Sequence, residues 1–276
     1  RFGDIYGYVT DRLYQKDDFV YNDDGSIKKT TIIIDGVAKE THMLKGENPI
    51  YQTYLEDGKG VVIFSPGDVK YKDLNGDGYI TPGDGTVGNP GDRKVIGNTT
   101  PRYEYGIRLG ADYKGVDFSI FMQGIGKREI WGSGQLAIPG YFAKEGAMAD
   151  AIAKDYWRED RPNAFYPRAW DNGGSDTSYS MQVQSKYLLD MSYLRIKNIT
   201  IGYSFPEFLL KKVYLNKARL YLSLENFFTF DNLRGLPIDP EAISGYSMFS
   251  SNYNLGRTGT GAPVFKSASF GVQLTF

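Results

Sequence analysis

Five stretches of the chain alternate apolar and polar residues at period two, which predicts strands with one apolar face. In the last ten residues Ala268, Phe270, Val272, Leu274 and Phe276 share one side, and Ser267, Ser269, Gly271, Gln273 and Thr275 the other. Tyr103 to Tyr113 separates completely, with Tyr103, Tyr105, Ile107, Leu109, Ala111 and Tyr113 against Glu104, Gly106, Arg108, Gly110 and Asp112. Lys114-Gly115 turns it tightly into Val116 to Gly126, where Phe118, Ile120 and Met122 oppose Asp117, Ser119 and Gln123, so the two strands are antiparallel neighbours. In Ala218 to Phe228, Leu220, Leu222, Leu224 and Phe228 oppose Arg219, Tyr221, Ser223 and Glu225. Tyr193 to Phe205 changes parity between Leu194/Ile196 and Ile199/Ile201/Tyr203/Phe205. That change predicts a bulge near Asn198, which keeps Arg195, Lys197, Thr200, Gly202 and Ser204 on the polar face. A sixth stretch, Gly3 to Tyr14, is β-prone and aromatic but alternates imperfectly.

Between these strands the connections run long, short, long, short, long. The long ones, about 15–102, 127–191 and 229–266, are rich in Gly, Asp, Asn and Pro. Inside the first, Asp35-Gly36 between β-branched runs predicts a hairpin of Lys28–Ile34 with Val37–Leu44. Inside the second, Ala143 to Arg158 could form a short helix. An up-and-down meander puts every long connection at one end, as in outer-membrane barrels with short periplasmic turns and long extracellular loops. A wall with lipid on one side and water on the other accounts for the pattern. A soluble β-sandwich would produce the same alternation but has no reason to sort its loops by length. Six or so strands cannot enclose a transport-sized lumen, so the expected fold is all-β: the C-terminal strands and long extracellular loops of a large antiparallel transmembrane β-barrel.

Composition narrows the reading. The formal net charge of -1 and a pI near 6.0 give no global basic field, which disfavours nucleic acid as a partner. With Cys 0 there is no disulfide, thiolate metal site or cysteine nucleophile. Mean hydropathy is -0.40, and no run approaches the 18 or so apolar residues of a membrane helix, so a membrane could be crossed only by strands. Tyr 22, Phe 16 and Gly 33 favour strands and turns. The sequence starts at Arg1 without a signal-peptide pattern and is expected to begin in the middle of a longer protein.

The sharpest local motif is Asp73-Leu-Asn75-Gly-Asp77-Gly78-Tyr79-Ile80-Thr-Pro-Gly-Asp84. Oxygens at positions 1, 3 and 5, glycine at 6, a carbonyl at 7 (Tyr79) and a carboxylate at 12 match a calcium loop. Asp84 is one methylene shorter than the usual glutamate, and Pro82-Gly83-Asp84 is repeated as Pro90-Gly91-Asp92, so Asp92 competes as the last ligand. The expected cofactor is a structural Ca2+; a metal-free cluster of Asx turns is the alternative. The lone His42 finds no second histidine or cysteine, no catalytic triad can be assembled, and no carboxylate pair suited to glycoside hydrolysis is evident, so an enzyme is not expected. Trp131, Trp157 and Trp170, with neighbouring aromatics of the second loop, could stack on a solute or pack the loop on itself.

Taken in order, the motifs resemble one family, the SusC/RagA-like TonB-dependent outer-membrane transporters. Matching pieces are Tyr6-Gly7-Tyr8, Pro66-Gly67-Asp68 to Ile80, Asp92-Arg93 to Ile96-Gly97, Pro101 to Tyr105, Phe118 to Gly124, Trp157, Pro167-Arg168, Ser192 to Ile199, Gly202-Tyr203, Glu225-Asn226-Phe227-Phe228, Asp239-Pro240-Glu241 and the terminal Phe276. The resemblance implies a cell-outer-membrane barrel of about 22 strands closed by a plug. It also implies a SusD-like surface lipoprotein partner, import of oligosaccharides or peptides, and energy delivered by TonB. This chain would supply the last strands and three extracellular loops, with the plug and the TonB-contacting segment outside it. The insert Gly85 to Gly91 departs from the pattern and leaves Asp84 and Asp92 both open as ligand. The alternative is a secreted or surface β-sandwich binding module with a calcium-stiffened loop.

Overall fold

The computed structural model of the chain describes residues 2–34, 36–52, 63–132, 148–169, 182–241 and 264–276. Up to residue 98 the strands are short: β1 (Asp4–Tyr8), β2 (Thr10–Leu13), β3 (Lys29–Ile34), β4 (Val37–His42), β5 (Val69–Tyr71) and β6 (Arg93–Asn98). All pair antiparallel, β1 with β6, β2 with β5 and β3 with β4. Gly3 to Tyr14 is therefore not one wall strand; it divides into β1 and β2, and their partners lie in sequence that reads as loop. Such short, distant pairings leave no local signal, because neither a tight turn nor an alternating run marks them. The β3–β4 hairpin forms as the Asp-Gly pair predicts, with Gly36 at φ +77° supplying the left-handed residue of the turn.

The rest of the chain carries β7 (Glu104–Tyr113), β8 (Val116–Ile125), β9 (Glu129–Trp131), α1 (Asp150–Ala153), β10 (Leu188–Asp190), β11 (Tyr193–Ser204), α2 (Glu207–Leu210), β12 (Lys217–Asp231) and β13 (Ser267–Thr275). Of the helix expected at Ala143 to Arg158, only the single turn α1 forms among the described residues; 143–147 lie outside them. The five long strands make one antiparallel sheet in the order β13-β12-β11-β8-β7, a plain meander. The β7–β8 and β11–β12 connections are short and lie at one end, where the Ser204 N–H donates to the Gly115 carbonyl at 2.7 Å and the Asn216 N–H to the Thr275 carbonyl at 2.8 Å. The long connections leave from the other end.

Register turns the alternation of single strands into two continuous faces. Ala111, Phe118, Ile201, Leu222 and Phe270 form one row across all five strands, and Leu109, Ile120, Ile199, Leu224 and Ala268 the next. The opposite face carries rows such as Gly110, Ser119, Thr200, Ser223 and Ser269. The expected bulge is present: Ile196 pairs with Met122 and Asn198 with Phe121, so Lys197 is the extra residue that restores parity. The apolar face is uncovered, with Leu109 55% and Phe270 71% exposed. In water a face of this width would drive association; in a bilayer it is the surface that hydrocarbon covers. The outer edges of β7 and β13 have no strand beside them among the described residues. Backbone groups there need further strands before the sheet can stand in lipid.

The buried core lies outside this sheet. Tyr14 at the end of the stretch from Gly3, Phe19, Val69, Tyr71 and Ile80 from the first long connection, Ile130, Ile152, Trp157, Tyr166, Leu189 and Met191 from the second, and Leu233, Leu236 and Ile238 from the third form one cluster. The described parts of the three connections thus pack into a single dome at the end of the wall from which they leave, driven by burial of their aromatic and aliphatic side chains.

Candidate functional site

Where the dome meets the polar face, β11 projects Tyr193, Arg195 and Lys197 toward the third connection. Arg195 is 4% exposed, and its guanidinium is fully engaged. Nη1 donates to Glu241 Oε2 at 2.6 Å, Nη2 to Asp239 Oδ1 at 2.8 Å and Nε to Thr229 Oγ1 at 2.9 Å. Lys197 Nζ reaches Glu241 at 2.6 Å, and the Tyr193 hydroxyl donates to Glu241 Oε1 at 2.9 Å. Asp239-Pro-Glu241 is therefore a two-carboxylate clamp that pins the third connection to the polar face. Burial raises the Asp239 carboxyl, but the Arg195 hydrogen bond, the Glu241 N–H and the Arg195 charge outweigh it and leave its pKa below the ordinary value.

A second pair holds the short-turn end of that face. Arg219 shares its polar strand face with Glu225, but its partner is Asp117, with Nε to Oδ1 at 2.8 Å, reaching across the intervening strand β11. It can cross because the residue between them is Gly202; a Cβ there would stand 2.4 Å from the Asp117 carboxylate. Deeper in the dome, Arg168 forks onto Asp68, Nε to Oδ1 at 2.8 Å and Nη2 to Oδ2 at 3.0 Å, joining the second connection to the first. Arg128 is 2% exposed, and its Nε and Nη2 have no hydrogen-bond partner among the described residues. Burial lowers its pKa, and nearby Tyr193 and Glu104 raise it in part.

The Asp73–Asp92 loop is organised by its own carboxylates. Asp73 accepts from the Gly76 N–H at 2.6 Å and the Gly78 N–H at 2.9 Å, Asn75 from the Asp77 N–H at 3.1 Å, and Asp77 from the Tyr79 N–H at 2.9 Å. Asp92, fully buried, accepts from Leu74 at 2.8 Å and Thr81 at 2.6 Å, so it ties both ends of the loop together. Asp84 is exposed and caps the Thr86 N–H at 2.8 Å instead. Burial pushes the Asp92 carboxyl above its ordinary value, the two N–H bonds pull it back, and the charges of Asp73 and Asp77 push it further up. Among the described residues no three Asp, Glu, His or Cys side chains converge tightly enough to hold a metal by themselves. Asp92→Ala leaves two backbone N–H groups without their charged acceptor, and we expect it to destabilise the loop by about 3 kcal/mol. Faster protease cutting between residues 74 and 81 would register this; an unchanged rate would show that the loop is held elsewhere.

Trp157 is 7% exposed and packs over Gly67, where a Cβ would meet its ring at 2.4 Å; its indole N–H donates to Gln15 Oε1 at 3.3 Å. The residue serves the core of the dome. Trp131 is half-buried in β9 against the same core, and Trp170 lies outside the described residues. His42 stays in its hairpin, with Nδ1 2.9 Å from the Phe64 carbonyl. Sequence reasoning missed the Arg195 clamp and the Asp68–Arg168 and Asp117–Arg219 forks, because each joins residues with no common motif.

Comparison with known proteins places this arrangement. The chain is 30% identical over 212 residues to TonB-dependent receptor P3 of Formosa agariphila, a match covering 76% of this chain and 19% of the relative. It is 27% identical over 215 residues to TonB-dependent receptor P26 of the same organism, covering 76% and 20%. The chain thus spans about a fifth of the length of the curated relatives it matches. Its fold is similar to part of the structure of the RagAB peptide transporter, with a TM-score of 0.51 at 18% identity, covering 99% of this chain and 23% of that one. The RagAB peptide importer in the closed-closed state gives 0.52 at 18% identity, covering 99% and 23%. No family model matches the chain.

Proposed function

From a chain that belongs to the TonB-dependent receptor family and spans about a fifth of its curated relatives, we propose the C-terminal barrel stretch of an outer-membrane importer. In this reading the whole receptor is of the SusC/RagA type. It takes up oligosaccharides or peptides under a SusD-like surface lipoprotein, and TonB drives it through segments outside these residues. The observation that carries the reading is the registered five-strand sheet, apolar on one face and polar on the other, with its long connections gathered into one dome. A soluble sandwich would cover the apolar face with a second sheet; among the described residues none does. The polar face then lines the lumen, and the Arg195 clamp fixes the third connection at its mouth. We assign no catalytic role to any residue.

The test uses the polypeptide in native outer membranes. Solubilised in detergent, it is expected to have a mass several times the 31.0 kDa of this chain, to carry a lipoprotein, and to lose solute uptake when TonB is deleted. A 31.0 kDa protein in the soluble fraction would overturn the proposal.

Calcium belongs to the same reading as a brace of the first extracellular loop. Asp73, Asn75 and Asp77 present oxygens from one turn, with Tyr79 following and the buried Asp92 beneath. Carboxylate oxygens that already accept one N–H keep lone pairs for a hard cation. Asp92 takes the closing place in this reading, and Asp84, which faces Thr86, does not. Calcium is expected to slow protease cutting of the loop, and Asp77→Ala to abolish that protection. Equal cutting with calcium and with chelator in the parent protein would remove the ion from the account.

A further inference from the structure

The second and third connections enclose a small cavity, about 60 Å³, above the wall. Its walls are aromatic: Phe165 and Tyr187 meet edge to face at 5.5 Å, and Tyr166 stacks on Tyr187 at 5.9 Å. Two cations converge on the same ring, Arg234 with its guanidinium 3.9 Å from the Phe165 centroid and Lys186 with Nζ at 5.2 Å. Lys186 makes no ion pair among the described residues, and Arg234 has only a loose one to Asp155 at 3.7 Å. Asp190 lies on the rim, but its carboxylate accepts from the Ser192 N–H at 2.9 Å and Asn232 Nδ2 at 3.3 Å.

Aromatic faces attract these cations but accept little of the hydrogen bonding that an ammonium offers. Desolvation lowers the Lys186 pKa, Asp155 counters it, and the Arg234 charge lowers it again. Asp155, 3.7 Å from Arg234, offsets one of these two charges; the Lys186 ammonium has no ion pair among the described residues, and an anion in the cavity would supply one. The space is small, with room for a carboxylate group.

We propose that this cavity takes a carboxylate group of the transported solute, held by Lys186 beside Arg234, with the body of the solute lying outside it. The assignment rests on the importer reading and sharpens it: the solute is acidic. A peptide supplies such a group at its C-terminus or on an acidic side chain, and an oligosaccharide supplies it as a uronic acid.

Calorimetry on the full-length receptor with its lipoprotein, in detergent, separates these sources. The probes are tetra-alanine with its C-terminal amide, and tri-galacturonate with its methyl ester. In one pair the free acid is expected to bind about tenfold more tightly than the neutral form. Lys186→Met or Arg234→Met is expected to erase that preference while neutral-probe affinity holds, and Lys186→Arg to retain it. Acid and neutral forms bound alike, or a preference that survives both replacements, would overturn the site and leave the importer intact. A receptor that binds none of the four probes would overturn the site, while the importer reading stands or falls on its mass and its TonB-dependent uptake.

Discussion

An arginine at Leu222 is expected to cost the barrel about 2–4 kcal/mol of folding stability in a bilayer, whereas an arginine at Ser269 costs about 1 kcal/mol or less. Leu222 lies in the apolar row with Phe118, Ile201 and Phe270, and in lipid its side chain has only hydrocarbon around it. A guanidinium there must be dragged toward the headgroups or carry water with it. Ser269 lies opposite Ser223 on the polar face, which in the importer reading lines a lumen into which a longer side chain can extend. Urea titration of the full-length receptor refolded into lipid vesicles measures both. Equal losses at the two sites would mean that the faces are not lipid and lumen. The comparison is internal to one sheet, so a general penalty for arginine in a strand cancels.

The second large effect is expected at the clamp. Arg195→Met removes the cation from Asp239 and one of the two from Glu241, which keeps Lys197, and leaves the partly buried Asp239 carboxylate without a charged partner among the described residues. Losing one partner of a buried ionic network costs about 3–5 kcal/mol, most of it the desolvation of the charges left behind. The loss is expected to be local. Native-state hydrogen exchange should show earlier opening of residues 232–241, with protection in the β11–β8 ladder little changed. The pH dependence has a definite sign. The folded pKa of Asp239 lies below its ordinary value of 3.8, so its contribution is complete above that value and is lost as pH falls through the lower folded pKa. The clamp should therefore hold at pH 5 and release only in acid below about pH 4. Release already near neutral pH would show that Arg195 and Asp239 do not form the working contact.

Calcium, if it braces the first loop, acts on a different part of the dome from this clamp. The Asp92→Ala and Arg195→Met effects are therefore expected to add in a double variant, because independent sites without shared partners couple weakly.

Much of this architecture is written locally. The period-two alternation of Tyr105 to Tyr113, Val116 to Gln123 and Ala268 to Leu274 specified strands and faces, because each side chain's preference for hydrocarbon or water is its own property. The parity break in Tyr193 to Phe205 specified the bulge at Lys197 for the same reason: only an extra residue keeps Ile196 and Ile199 on one side. Asp35-Gly36 announced its hairpin through the backbone freedom of glycine. The order of long and short connections followed from the positions of the strands.

What the tertiary structure alone decided is which distant groups meet. Gly3 to Tyr14 has strand propensity, yet β1 and β2 leave the wall because β6 and β5 offer them edges and a common aromatic core. Trp157 reads equally as a solute platform or a core side chain, and the placement of Gly67 against its ring settles its packing. Asp84 and Asp92 stand in identical Pro-Gly-Asp triplets; only Asp92 is buried against Leu74 and Thr81. Arg219 finds Asp117 rather than Glu225 because a strand with glycine at the crossing lies between them. By itself the sequence determined the side-chain preferences that make strands and faces. Charge pairing and burial belong to the fold, since both depend on three-dimensional distance, which no spacing along the chain encodes.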